Sequence, residues 1–332
     1  MSYHNVKIKD IAVYYPEKSV GNEYFIKHFE TVNVEGLMKH LGREKRYLAD
    51  ENETSLSMAF EACRKVLRYS GTDAESIDMI VFTSDTPEYT APSNALKLNH
   101  LLGAKNAHVV YDLNNNCIGM LTALDQVSNY MKMKKTLKNV LVVGSMLISS
   151  VVSKNDPVTY PNFADSAAAV LLEMAVEEEE RGFIGTAEFF TDAEYHDSIV
   201  MPLCGFARMY DEKLDDDSKR WSWTPFDFSF LSDNWSKIIQ HTLQKNNLKP
   251  AEVDHFVFSQ FSKPDTVETL RKLEVDSTNY SYVGDQFGYT GTTSPIFGLR
   301  DAIREGKVKE GSKVILCSVG AGYTMCSLLY KF

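Results

Sequence analysis

Residues 55–87 read SLSMAFEACRKVLRYSGTDAESIDMIVFTSDTP. Apolar residues recur there at three- and four-residue spacing, then a polar turn brings Asp78 to a short apolar, β-branched run. This is the pattern of an amphipathic helix feeding a buried strand. The same order returns at 233–264, DNWSKIIQHTLQKNNLKPAEVDHFVFSQFSKP, where Asp254 stands 176 residues after Asp78. Farther along, LKNVLVVGSM (137–146) matches GSKVILCSVG (311–320), with Val140 and Val314 174 residues apart. A second apolar run follows each, AAAVLLEMA (167–175) and YTMCSLLYKF (323–332). Units this long are not solenoid repeats, so the chain reads as two fused, related α/β halves. Their near-continuous apolar strands suit sheets covered on both faces.

The halves are placed at 1–175 and 230–332, with 176–229 as a connecting or cap segment. That segment carries the charge runs VEEEERGF and DEKLDDDSKR, expected to be solvated. The aromatic cluster Trp221, Trp223, Phe226, Phe228 and Phe230 follows them and is expected in the core.

A net charge of -10 and a pI near 5.4 exclude a general affinity for nucleic acid or anionic lipid. No apolar run reaches the roughly 18 residues of a membrane span, and MSYHNVKIKD has no signal-peptide pattern. The five cysteines form no C-x-x-C pair, against a zinc knot or disulfide framework. A cytoplasmic protein with no metal and no resident cofactor is expected.

One thiol differs from the rest. In DLNNNCIGM (112–120), Cys117 opens a helix expected over 118–131, whereas Cys63, Cys317 and Cys326 lie on apolar core patterns. A helix N-terminus lowers a thiol's pKa, and the residue's own N–H faces an oxyanion formed on an attached acyl group. At the repeat offset Cys117 falls opposite Thr292 in FGYTGTTSPIFGL (287–299), so two related helices would point their N-termini at the centre of the molecule. Position by itself leaves a nucleophile and a buried structural thiol both open.

Six stretches, in order, resemble the β-ketoacyl-ACP synthase III family of the thiolase-like fold: IAVYYPEKSVGNEYF (11–25), GREKRYLADENETSLSMAFEAC (42–63), YTAPSNALKLNHLLG (89–103), YDLNNNCIGMLTALDQV (111–127), FADSAAAVLL (163–172) and SVGAGYTMCSLLYKF (318–332). Ala164 and Ser166 replace two glycines of the family's pattern. The resemblance implies a five-layered α-β-α-β-α fold and a homodimer joined near 107–112. It implies that Cys117 takes an acyl group from acyl-CoA or an acyl carrier protein. The amides of Cys117 and Ala321 would form the oxyanion hole, within the loop Gly320–Gly322. Two positions depart from the family: Ser259 stands where it carries a His, and Tyr289 where it carries an Asn. A serine is neither cation nor base near neutral pH, so malonyl condensation is expected to be weak and acyl transfer to another acceptor preferred. Condensation supported by Tyr289 and Ser259 is one alternative, and a non-catalytic subunit paired with an active homologue is another. His255 shares a strand face with Ser259 but lies about 13 Å away along it; His196 is expected in an exposed loop. Glu88 is a candidate base. Ala91 matches a position where bacterial fatty-acid members carry Phe, which implies a longer acyl pocket.

Overall fold

The computed structural model describes residues 2–332. The helix Ser55–Ser70 starts at a capping box between Thr54 and Ser57 and stops at Gly71, whose φ of 62° needs no Cβ. Its buried stripe of Leu56, Ala59, Cys63, Val66 and Leu67 packs on a sheet that also uses Ile80, Phe82, Leu141 and Val143. On the same strands Met79, Val81, Val140 and Val142 face the other way, into a central core. The period of two thus divides each strand between two cores, which is why the strands read as unbroken apolar runs.

The second half repeats the arrangement. Helix Leu231–Lys245 covers Phe256, Phe258, Ile315 and Cys317, while Val257, Val314 and Leu316 enter the central core. Each of the two large sheets has five strands. The first runs Tyr3–Tyr14, Ser166–Glu177, Asn139–Met146, Met79–Thr83, Val109–Leu113; the second runs Gly182–Thr191, Thr324–Lys331, Lys313–Gly320, His255–Phe258, Tyr280–Ser281. In both orders the first two pairings are antiparallel and the last two parallel. Between the sheets lie the helices Gly119–Met133 and Ser294–Arg304, largely buried where they begin. The result is the five-layered α-β-α-β-α fold of two pseudo-repeated halves.

The segment 176–229 is more than a connector. Gly182–Thr191 is the edge strand of the second sheet, the counterpart of Tyr3–Tyr14. Its core contribution is carried by Phe183 and Ala187, with a partly buried Ile184 on the other face, too sparse a signal beside the flanking charges to stand out. Residues 192–230 then cross to the middle of the molecule, where Ile199–Val200 pairs with Ser222–Trp223 and Trp221 bridges to Val152. No helix among the described residues is long and apolar enough to cross a membrane.

Candidate active site

The three asparagines before Cys117 have separate jobs. Asn114 Oδ1 accepts from the Asn116 amide at 3.0 Å, closing a local turn. Asn115 Nδ2 donates to Thr122 Oγ1 at 3.0 Å, tying the turn to the helix that follows. Asn116 adopts φ 49° and donates to the Ala321 carbonyl at 3.2 Å, joining the nucleophile turn to the glycine loop of the other half. Cys117 sits in the short 3₁₀ turn Asn116–Ile118, and the α-helix begins at Gly119. A Cβ at Gly119 would come 2.1 Å from Thr83 Oγ1, so only glycine lets this turn approach the end of the neighbouring strand. The expected symmetry is real: the Met120 amide donates to Thr292 Oγ1 at 2.8 Å. Ser318 Oγ donates to the Cys117 carbonyl at 3.2 Å. Residues from both halves hold the thiol's backbone.

Around the sulfur stand Tyr289 and Asp85, with Ser259 behind the tyrosine hydroxyl. The Tyr289 strap is fixed at its backbone, accepting from the Ala164 amide at 3.0 Å and donating to the Asn162 carbonyl at 2.9 Å. Its ring packs on Phe163 and Phe261, which turns the buried hydroxyl toward Cys117. Ser259 Oγ, also buried, donates to Tyr289 Oη at 3.3 Å. Tyr289, which reaches the thiol, therefore also holds Ser259. Asp85 Oδ2 lies 3.9 Å from Cys117 Sγ, while its Oδ1 is shielded and has no hydrogen-bond partner.

The electrostatics reverse one expectation. Burial pushes the Cys117 thiol well up, the Asp85 carboxylate adds to that, and only the Tyr289 hydroxyl and the residue's own amide act the other way. The N-terminal turn does not outweigh desolvation, so the resting residue is a thiol and not a low-pKa thiolate. Burial likewise raises Tyr289 well above its usual range and lifts Asp85 to about 7.

Asp85 is the residue that sequence reading missed, stopping three positions on at Glu88. The signal was available. Thr83 is register-paired with Leu113 in the parallel ladder, so the loop after it comes level with the turn that carries Cys117, and open α/β sheets build sites at their carboxyl ends. Glu88 itself lies beside the Tyr89 hydroxyl, which it raises. Ala91 is exposed ahead of the helix Asn94–Leu102, and neither it nor Glu88 lines a cavity next to Cys117. His255 is buried against Ser281 Oγ at 2.9 Å and held down to about 4, and His196 is exposed. Neither histidine reaches the thiol's surroundings.

Two adjoining cavities lead to the sulfur. The inner one, about 30 Å³, is lined by Cys117, Tyr289, Phe261 and the loop Gly320–Gly322. The outer one, about 300 Å³, shares Phe163, Trp223, Phe226, Phe228, Phe261 and Tyr289 with it and ends at His40, Arg43 and Asp265. The aromatic cluster expected in the core is thus largely the wall of the approach, with Trp223, Phe226 and Phe228 only half-buried. Arg43, buried, donates to the carbonyls of Gln260 and Phe261 at 2.7 and 2.8 Å and pins the chain just after Ser259.

The chain matches the family model of 3-oxoacyl-[acyl-carrier-protein (ACP)] synthase III over residues 111–193 and that of its C-terminal region over 243–332, together just over half its length. It is 27% identical to the β-ketoacyl-[acyl-carrier-protein] synthase III of Koribacter versatilis, covering 100% of this chain and 99% of that protein. Identity to the enzyme of the same name from Actinobacillus succinogenes is 29%, covering 99% and 100%. The crystal structure of 3-oxoacyl-[acyl-carrier-protein] synthase III from Aquifex aeolicus superposes with a TM-score of 0.86 at 25% identity, over 99% of this chain and 100% of that one. With both family models matched in chain order over more than half the chain, and the nucleophile segment inside the first, this chain belongs to the 3-oxoacyl-[acyl-carrier-protein] synthase III family.

Proposed function

We propose that the protein, acting as a cytoplasmic homodimer, takes an acyl group from acyl-CoA or an acyl carrier protein onto Cys117 and passes it to an acceptor in fatty-acid-like or specialised-metabolite synthesis. The observation that carries this reading is the contact of Tyr289 with both Cys117 and Ser259, the latter at 3.3 Å. Thioester attack needs a sulfur nucleophile and amide donors for the oxyanion, and Cys117 with Ala321 in the loop Gly320–Gly322 supplies them. Malonyl decarboxylation needs donors aimed at an enolate. The Ser259 hydroxyl is spent on Tyr289 instead, and no imidazole is at hand. Losing one such donor costs about 3 kcal/mol, a hundredfold or more in rate.

The test is intact-protein mass spectrometry after exposure to a panel of acyl-CoAs, run beside labelled CO₂ release from malonyl-CoA and malonyl-ACP. An acyl adduct on the wild type, absent from Cys117→Ala, with CO₂ release far below ordinary synthase rates, is the expected result. The Tyr289 hydroxyl beside the sulfur favours one second reading, condensation with tyrosine as the enolate donor. CO₂ turnover at ordinary synthase rates, lost in Tyr289→Phe, would establish it in place of the first.

A further inference from the structure

We propose that Asp85 is the proton carrier of the site, taking the proton of the Cys117 thiol as the sulfur attacks and returning it when a thiol leaves. Three observations carry this. Asp85 Oδ2 is 3.9 Å from Sγ, and its shielded Oδ1 has no partner in the protein. Its loop is fixed on both sides: Ser84 Oγ donates to the Ser145 carbonyl at 2.6 Å, and Thr86 Oγ1 accepts from the Leu147 amide at 2.8 Å. A carboxylate held this firmly with no cation or amide satisfying it has no structural function to explain it. Tyr289, the other group at the sulfur, cannot accept a proton near neutral pH, and the thiol itself is pushed up by burial. An acid lifted to about 7 suits proton transfer in both directions.

The proposal rests on the acyl-transfer reading and gives its proton balance. In the first half, Sγ bonds to the donor carbonyl carbon while its proton moves to Asp85. The donor C–S bond breaks, and the leaving thiolate takes that proton back. In the second half, an acceptor bearing an N–H, O–H or S–H gives its proton to Asp85 as it attacks the acyl carbonyl. The C–Sγ bond breaks, and Cys117 is reprotonated from Asp85. The acceptor class is therefore a proton-bearing nucleophile that needs no decarboxylation to be activated.

The test follows two reactions of Cys117 against pH, acylation by an acyl-CoA and alkylation by iodoacetamide, in wild type, Asp85→Asn and Asp85→Glu. Wild-type rates should climb through a limb near pH 7 as the carboxylate form appears. Asp85→Asn should lose the limb and react roughly a hundredfold more slowly at pH 8, while Asp85→Glu keeps a limb at a reduced rate. A merely structural role would leave the limb in place, and Asp85→Asn retaining it in alkylation overturns the proposal. If no acyl-CoA acylates the wild type, the acyl-transfer reading fails, and alkylation alone still decides the role of Asp85.

Discussion

At the residue scale, the site is an uncharged nucleophile beside a tyrosine that burial holds neutral and a carboxyl group poised to ionise near pH 7. Its proton states can be shifted one at a time. The Tyr289 hydroxyl pulls the thiol down, so Tyr289→Phe should slow iodoacetamide labelling of Cys117 while the limb near pH 7 that belongs to Asp85 stays in place. Asp85 contributes to stability with the sign opposite to an ion-paired acid. Its folded pKa, about 7, lies above the usual 3.8, so the unfolded chain gives up its proton first and stability falls as pH rises from about 4 through 7. Asp85→Asn should therefore be more stable than wild type at pH 8, by about 1–3 kcal/mol in urea unfolding, and equal to it near pH 4. For the missing pair, Ser259→His/Tyr289→Asn should raise CO₂ release from malonyl-ACP by about a hundredfold. A double variant that folds and acylates but releases no more CO₂ would show that the pocket, not the pair, limits condensation.

At the element scale, close approach decides the geometry. The nucleophile helix can start where it does because Gly119 lies against Thr83 and Thr292, with a Cβ there 2.1 and 3.1 Å from their hydroxyls. Gly119→Ala should cost about 1–3 kcal/mol in urea unfolding, and Thr83→Ala added to it should recover part of that loss. If the two changes simply add, the contact is not what makes the glycine necessary. The strand His255–Phe258 gives a second, pH-dependent test. Its histidine is held down to about 4 by burial, below the usual 6.5, so the unfolded chain binds more protons between those values. Stability should fall as pH drops from 6.5 to 4, by up to about 3 kcal/mol, and His255→Gln should flatten that slope in thermal or urea melts.

At the scale of the whole molecule, two sheets in one strand order bring the starts of two related helices to one place, and the loops around them decide the chemistry. The edge strand Val109–Leu113 carries an exposed Tyr111. Its Asp112 caps the helix Asn94–Leu102 through the amides of Asn94 and Ala95 at 2.7 and 2.8 Å, which sets Ala91 beside that same edge and away from Cys117. Any effect of Ala91 on chain length must therefore come across a dimer. Sedimentation equilibrium should find a dimer, and Ala91→Phe should lower acylation by decanoyl-CoA relative to acetyl-CoA, each buried CH₂ being worth about 0.8 kcal/mol. The same preference persisting in a monomeric variant would remove Ala91 from the pocket.

The linear chain by itself determined the two halves, because a helix stripe and a buried strand are written in periods of 3.6 and 2 that repeat nearly 175 residues apart. It also singled out Cys117, Ser259 and Tyr289, since each stands at a set place in a segment that resembles the family's. Only the tertiary structure decided the rest. Asp85 becomes a partner of the thiol through the register of a parallel ladder. Trp223, Phe226 and Phe228 become the wall of a cavity because residues 192–230 cross the middle of the molecule, leaving those rings half-buried. The thiol's acidity is likewise a property of its surroundings: a helix start favours a thiolate, and burial around Sγ pushes the thiol the other way.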